Sequence, residues 1–405
     1  MSGTFRERVG RLGRFDALVL TSALWFLGKF VRYAFPPLFE RLAGIYAVST
    51  ADLGTAYSGL LLVYALLQFP SGLLADRLSS VVVLGGGAAL AALGALALAV
   101  DAPLWVLIGA MLVVGAGTGA LKPVGVRLLS RVYPARTGRA LGVFDTFGTF
   151  GGVLAPAAVV VFAGTAGVVG AGWRTTFLAA ALVGLALTAA FVVRVPARLS
   201  AVDAGRTGDD PTVPLREYAA LFREWRFSVF VLVTILFSFA HNAVVAFLPL
   251  YLTREAGLAS TTANALYSGL FVVSLVQLVT GEVSDRTGAL PVLALTLALA
   301  TAGLGGVVLL TGEGALALGA AVVCLGLGAH GYRPVRGAYL MAVIPDSVAG
   351  GSLGAVRTLL MVAGAASPAL VGYLSETAGF QPAFWLLAAA FAAATALTGL
   401  LWAVE

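Results

Sequence analysis

The stretch YSGLLLVYALLQFPSGLLADR, residues 57–77, returns as YSGLFVVSLVQLVTGEVSDR at residues 267–286. Each copy holds an apolar run with a single glutamine inside it, Gln68 and Gln277, and ends on an Asp-Arg pair, Asp76-Arg77 and Asp285-Arg286. A hydrocarbon core of about 30 Å takes about 20 apolar residues as a helix, since a helix satisfies all its backbone groups within one segment. Two such segments, in register and far apart in the chain, point to a duplicated bundle of membrane helices.

Working outward, the duplication continues. GAGTGALKPVGVR (115–127) is answered by GLGAHGYRPVRG (326–337), with Arg333-Pro334 in the place of Lys122-Pro123. GWRTTF (172–177) is answered by GFQPAF (379–384), and Pro134 and Pro156 by Pro345 and Pro368. The 405 residues are 60% hydrophobic and 11% charged, with a mean hydropathy of +0.98. That composition excludes an ordinary soluble interior. Twelve apolar segments begin near Asp16, Leu53, Val81, Leu104, Ala140, Trp173, Phe227, Asn264, Leu290, Ala315, Leu353 and Ala383. The expected fold is an all-α membrane protein of twelve transmembrane helices in two six-helix repeats. The halves are 1–198 and 225–405, joined by a polar linker over 199–224. The first segment is too long for a cleavable signal and is expected to stay as an anchor.

Charge sets the orientation. Of the 23 arginines, 15 fall in the N-terminus and in the loops after spans 2, 4, 6 and 8, three in the opposite loops and five inside spans. The positive-inside rule then places both termini in the cytoplasm, as in a multi-pass protein of the cell membrane. A net charge of +6 reflects this sorting and calls for no nucleic-acid partner. The single cysteine, Cys324, permits no internal disulfide.

At GLLADRLSS (72–80) and GEVSDRTGA (281–289) the chain resembles the major facilitator superfamily, and it does so over nearly its whole length. Gly72 and Asp76-Arg77, then Gly281, Asp285-Arg286 and Gly288, are similar to the loop motif that family carries between helices 2 and 3 and again between 8 and 9. The resemblance implies a transporter working by alternating access, with helices 1, 4, 7 and 10 lining a central cavity. It also implies that Asp76 and Asp285 stabilise the closed cytoplasmic face, whereas a lone charge in a short loop would simply be solvated. Ser79, Ser80 and Val81 depart from the motif, replacing its second glycine and basic pair.

The residues inside the spans bear on substrate. A basic side chain at the centre of a span costs about 2.5–3.5 kcal/mol, so each needs a partner, a wet cavity or a route to the interface. Lys29 and Arg32, in LWFLGKFVRYAFPP (24–37), lie roughly 20 and 24 Å along their helix at 1.5 Å per residue. With Ser22, Trp25, Tyr33 and Pro36 they form one polar stripe at spacings of three and four. Span 7 repeats the stripe with Thr234, Ser238, His241, Asn242 and Pro249, and His241 takes the register position of Lys29. Lys122 and Arg333 lie further toward the cytoplasm, where snorkelling is an alternative and, for Arg127 and Arg336, the better one. The acids in the spans are Asp145 and Glu282. The surplus is therefore positive, and a transported anion is the natural counterion, with chloride or water as the weaker reading. Asp145 and Arg357 hold equivalent positions at the starts of spans 5 and 11. They predict a gate across the inner mouth or, alternatively, a local pair of Asp145 with Lys122. Gln68 and Gln277 are able to bond a substrate or a neighbouring helix.

Other patterns are decoys. GLGAHG (326–331) fits a dinucleotide motif but has no strand before it, so its glycines, like Gly115 and Gly119, serve helix packing. GGSLG (350–354) lacks the context of a nucleophile elbow. No enzyme, cofactor or metal site is expected. Proton-coupled drug exporters of the family usually carry an arginine in mid-helix 4, where this chain has Met111.

The sequence therefore predicts a monomeric secondary transporter of a small organic anion, a carboxylate or phosphate ester. Lys29, Arg32, Tyr33, His241, Asn242, Lys122, Arg333, Gln68 and Gln277 are the expected binding residues. Asp145, Arg357, Asp76, Arg77, Asp285 and Arg286 are the expected gating or coupling residues. A proton is favoured over sodium as the coupling ion. Efflux of amphipathic compounds is the alternative, and a non-transporting membrane sensor a third.

Overall fold

The computed structural model describes residues 15–164, 166–167, 170–196, 222–343 and 349–404. Twelve of its helices are long and apolar enough to cross a membrane. They are α1 (Asp16–Tyr46), α2 (Thr50–Leu78), α3 (Ser80–Leu98), α4 (Leu104–Val132), α5 (Pro134–Ala163) and α6 (Gly172–Arg194). Then follow α7 (Trp225–Arg254), α8 (Ser260–Thr287), α9 (Ala289–Leu309), α10 (Ala315–Val343) and α12 (Phe380–Val404), with α11 (Ala349–Thr377) before the last. Two short antiparallel strands, β1 (Ala166–Gly167) and β2 (Gly170–Ala171), join α5 to α6. The spans begin within six residues of where the apolar runs place them.

Prolines shape several helices. Pro36 and Pro37 interrupt α1 with a 3-10 turn over Pro36–Leu38, where a missing N–H and a fixed φ are tolerated. A 3-10 turn at Val273–Leu275 divides α8 in the same way, without a proline. The loop motif between α2 and α3 also resolves. Ser79, standing where Gly288 stands in the second copy, has φ 108° and ψ 151°, close to the φ 91° and ψ 156° of Gly288. The departure from glycine thus leaves the turn geometry unchanged but places a side chain in a region favoured by glycine. Its hydroxyl caps α3 by accepting from the Val82 N–H at 3.3 Å.

The chain divides into two compact units, one drawn from Met1–Ala34 and Val63–Asp209, the other from Phe35–Leu62 and Asp210–Glu405. In the first, Leu24, Leu84, Leu121, Val124, Phe144 and Phe191 are core residues. Where α3 crosses α4, a Cβ on Gly117 would lie 2.4 Å from the Ala91 nitrogen. The second copy repeats this: a Cβ on Gly328 of α10 would lie 2.3 Å from the Ala300 nitrogen of α9. The glycines of both quoted stretches thus bring backbone against backbone.

In the second unit, residues 35–62 pack on α7 and α11, so the units do not follow the repeat boundary. A Cβ on Gly54 would meet the Pro368 carbonyl at 2.4 Å. Phe39 lies 5.4 Å from Phe247, and the Ala369 N–H donates to the Ser58 hydroxyl at 2.8 Å.

Candidate functional site

The first unit gathers its basic residues around one aromatic ring. Trp25 is 4% exposed, and three cations lie within cation–π range of its indole: Lys29 at 5.5 Å, Arg32 at 5.5 Å and Lys122 at 5.7 Å. Spacing along α1 accounts for the first two. The third comes from α4, which packs on α1 because a Cβ on Gly28 would already touch Leu121 at 2.6 Å. Two glycines of GTFGGVLAP (148–156) admit α5. A Cβ on Gly148 would lie 2.1 Å from the Trp25 Nε1, and one on Gly151 2.4 Å from the Phe26 carbonyl. Phe144 completes the cradle, stacked on Trp25 at 5.8 Å.

Around that ring each cation has further contacts. The Arg32 guanidinium lies 3.9 Å from the Tyr64 ring centroid and donates from Nε to the Gly28 carbonyl at 3.2 Å. The Lys29 ammonium is 5.7 Å from the ring of Tyr33. Lys122 is 5.2 Å from Phe144 and is ion-paired with Asp145. Asp145 is thus engaged locally, and its carboxylate is more than half exposed at 57%. Quadrupolar ring faces hold cations without neutralising them. The cluster of three cations and one carboxylate therefore keeps a net charge of +2 when all are ionised.

The second unit arranges the equivalent positions differently. His241 Nε2 and Arg333 Nη2 are 2.6 Å apart. A guanidinium only donates, so Nε2 is the acceptor in this contact. The His241 ring stacks on Phe237 at 5.5 Å, with His330 edge-on at 6.2 Å. Asn242 turns toward α11: its amide donates to the Ser238 carbonyl at 2.8 Å, and the Ser238 hydroxyl donates to the Leu360 carbonyl at 2.5 Å. The Gln277 amide donates to the Ser274 carbonyl at 3.0 Å, whereas Gln68 is buried on α2.

At the arginine-rich end, Asp76 is ion-paired with Arg127 of α4. This holds the end of α2 against α4 and gives Arg127 a partner. Asp285 and Arg77 are exposed, and Arg286 pairs with Glu282 one turn back on α8. Arg357, at the start of α11, is exposed and within Coulombic reach of Arg336. Three contributions were not foreseen from the sequence: the contact of Tyr64 with Arg32, the place of Phe144, and the role of Trp25 as a shared platform. For Trp25 the signal was present in its place on the stripe. Tyr64 and Phe144 owe their positions to helix crossings.

A duplicated bundle of twelve apolar helices, with cations inside the spans held on aromatic faces and no extramembrane domain among the described residues, defines a polytopic membrane transporter. The chain belongs to the Major Facilitator Superfamily, whose sequence profile matches residues 21–332. It is 27% identical over 390 residues to the probable sulfoacetate transporter SauU of Cupriavidus necator, covering 90% of this chain and 87% of that one. Its fold is similar to that of a bacterial homolog of the human lysosomal transporter Spinster in an inward-facing, occupied conformation. That likeness has a TM-score of 0.78 at 15% identity and covers 96% of each chain. It is similar also to a D-xylose-proton symporter, with a TM-score of 0.75 at 13% identity, covering 95% and 97%. The protein is thus a multi-pass membrane transporter and not an enzyme.

Proposed function

We propose that this transporter carries a small organic anion by alternating access across the cell membrane, with Lys29, Arg32 and Lys122 as its principal ligands. The observation that carries the reading is the gathering of these three cations on Trp25, with Asp145 paired to one of them. A charged group in a span is costly unless it serves a pathway or is paired, and a net positive cluster suits an anion. The relative from Cupriavidus necator, named for an organic anion, supports the same class. Arg333, with His241 accepting from it, offers a second guanidinium for the same kind of ligand.

Coupling to protons would run through Asp145. An arriving anion would compete with Asp145 for the Lys122 ammonium, which links substrate binding to this pair.

The test is thermal unfolding of the purified protein against small carboxylates, sulfonates, phosphate esters, neutral sugars and lipophilic cations at fixed ionic strength, since a ligand of the folded state raises the midpoint. Stabilisation by one anion class, lost in Lys29→Gln, is the expected result. Stabilisation by lipophilic cations alone would overturn the reading in favour of drug efflux.

A further inference from the structure

In the first half the basic residue of α4, Lys122, faces an acid of α5, Asp145. The second half keeps a basic residue at the first position, Arg333, and replaces the acid with an arginine, Arg357. It adds a guanidinium as well: counting from the shared Lys122-Pro123 and Arg333-Pro334 pairs, Arg336 stands where the first half has Gly125. That glycine is a packed position, since a Cβ on it would lie 2.9 Å from Phe144 and 3.2 Å from Thr21. Glycine closes the first unit, and arginine occupies the same place in the second.

Arg336 is within Coulombic reach of both Arg333 and Arg357, and its guanidinium lies 5.9 Å from the Tyr332 ring. Its Nε is buried without a hydrogen-bond partner among the described residues. No acid forms an ion pair with it among those residues. Arg336, with a buried donor left over and two further guanidiniums within Coulombic reach, calls for an anion to hold it.

We propose that Arg336, with Arg333 and Arg357, forms a second oxyanion-binding site at the arginine-rich end of the second unit. Its ligand is a carboxylate, sulfonate, sulfate or phosphate group, because guanidinium forks match such oxygens bidentately. The site deepens the anion reading and rests on it, as a further place in the second unit for the same class of anion. The same chemistry fits the phosphate of a lipid headgroup.

The probe is inorganic sulfate, titrated against chloride at matched ionic strength, with the unfolding midpoint as readout. In lipid-free neutral detergent, Arg336→Gln is expected to raise the half-saturating sulfate concentration about tenfold, the effect of losing one charge-assisted contact. Arg336→Lys, which keeps the charge but not the fork, is expected to fall between wild type and Arg336→Gln. If Arg336→Gln does not fold, an unchanged half-saturation in Arg336→Lys overturns the site. Repeating the comparison in nanodiscs of phosphatidylglycerol or phosphatidylcholine separates the sources. A dependence on Arg336 seen as stabilisation by phosphatidylglycerol, and absent for sulfate, assigns the site to a headgroup. If Lys29→Gln shifts sulfate binding and Arg336→Gln does not, this inference falls and the anion reading stands. If Arg336→Gln shifts it while no anion responds to Lys29→Gln, the site stands and the Trp25 reading falls.

Discussion

Gly148→Ala asks whether the Trp25 platform is held in place by α5. The added Cβ would lie 2.1 Å from the indole Nε1 and 2.4 Å from Cδ1, against an ordinary contact of about 3.5 Å. The ring must therefore withdraw by roughly 1.4 Å, or α5 must move away from α1. Either change is an overpacking event of about 1–3 kcal/mol, with loss of some of the stacking on Phe144, itself worth about 0.5–1.5 kcal/mol. The ring is also the common neighbour of three cations, each contact worth about 0.5–2 kcal/mol. Losing about 1.4 kcal/mol of that arrangement weakens anion binding tenfold. The assay pairs denaturant unfolding with transport kinetics in proteoliposomes, with Gly142→Ala on the same helix as control, because a Cβ on Gly142 meets nothing within 4 Å. The expected result is a less stable Gly148→Ala with KM raised about tenfold and a Gly142→Ala that matches wild type or exceeds it slightly in stability. Wild-type stability and KM in Gly148→Ala would refute the reasoning that Trp25 organises the cluster.

Three further outcomes follow from other parts of the structure. Ser79→Gly should stabilise the protein by about 1 kcal/mol, since relief of a positive-φ side chain outweighs the few tenths lost with the cap; an unfolding midpoint no higher than wild type contradicts this. Gly328→Ala should destabilise by about 3 kcal/mol or prevent folding, because its Cβ would meet backbone atoms of Ala300 and Thr296 at 2.3 and 2.4 Å; detergent-stable expression at wild-type yield is the contrary result. Asp145→Asn should abolish proton-driven accumulation while substrate counterflow persists, and persistence of both removes Asp145 from the coupling step.

Much of the fold was legible because the bilayer imposes one dominant constraint. Apolar runs of sufficient length mark the spans, and the second copy of each motif supports the first. The division into units was less legible: the packing of 35–62 on α7 and α11 depends on glycines meeting distant carbonyls, and no local pattern announces that. For the candidate site, the stripe of Trp25, Lys29 and Arg32 followed from helical spacing alone. Lys122 and Asp145 are 23 residues apart on different helices, so their pairing depended on how α4 and α5 cross, and the sequence left it open beside a pair with Arg357. His241 accepting from Arg333 was equally out of reach, because register identifies equivalent positions without saying which way a ring nitrogen points.

The backbone contacts at Gly117 and Gly328 have a mechanical consequence. Where two helices touch through main-chain atoms, sliding by even a fraction of a residue drives side chains into peptide groups, so α3–α4 and α9–α10 behave as stiff struts. Bending must then concentrate where the helical ladder is already broken, at Pro36–Leu38 in α1 and Val273–Leu275 in α8. The joints of this machine are those two interruptions of the helical ladder.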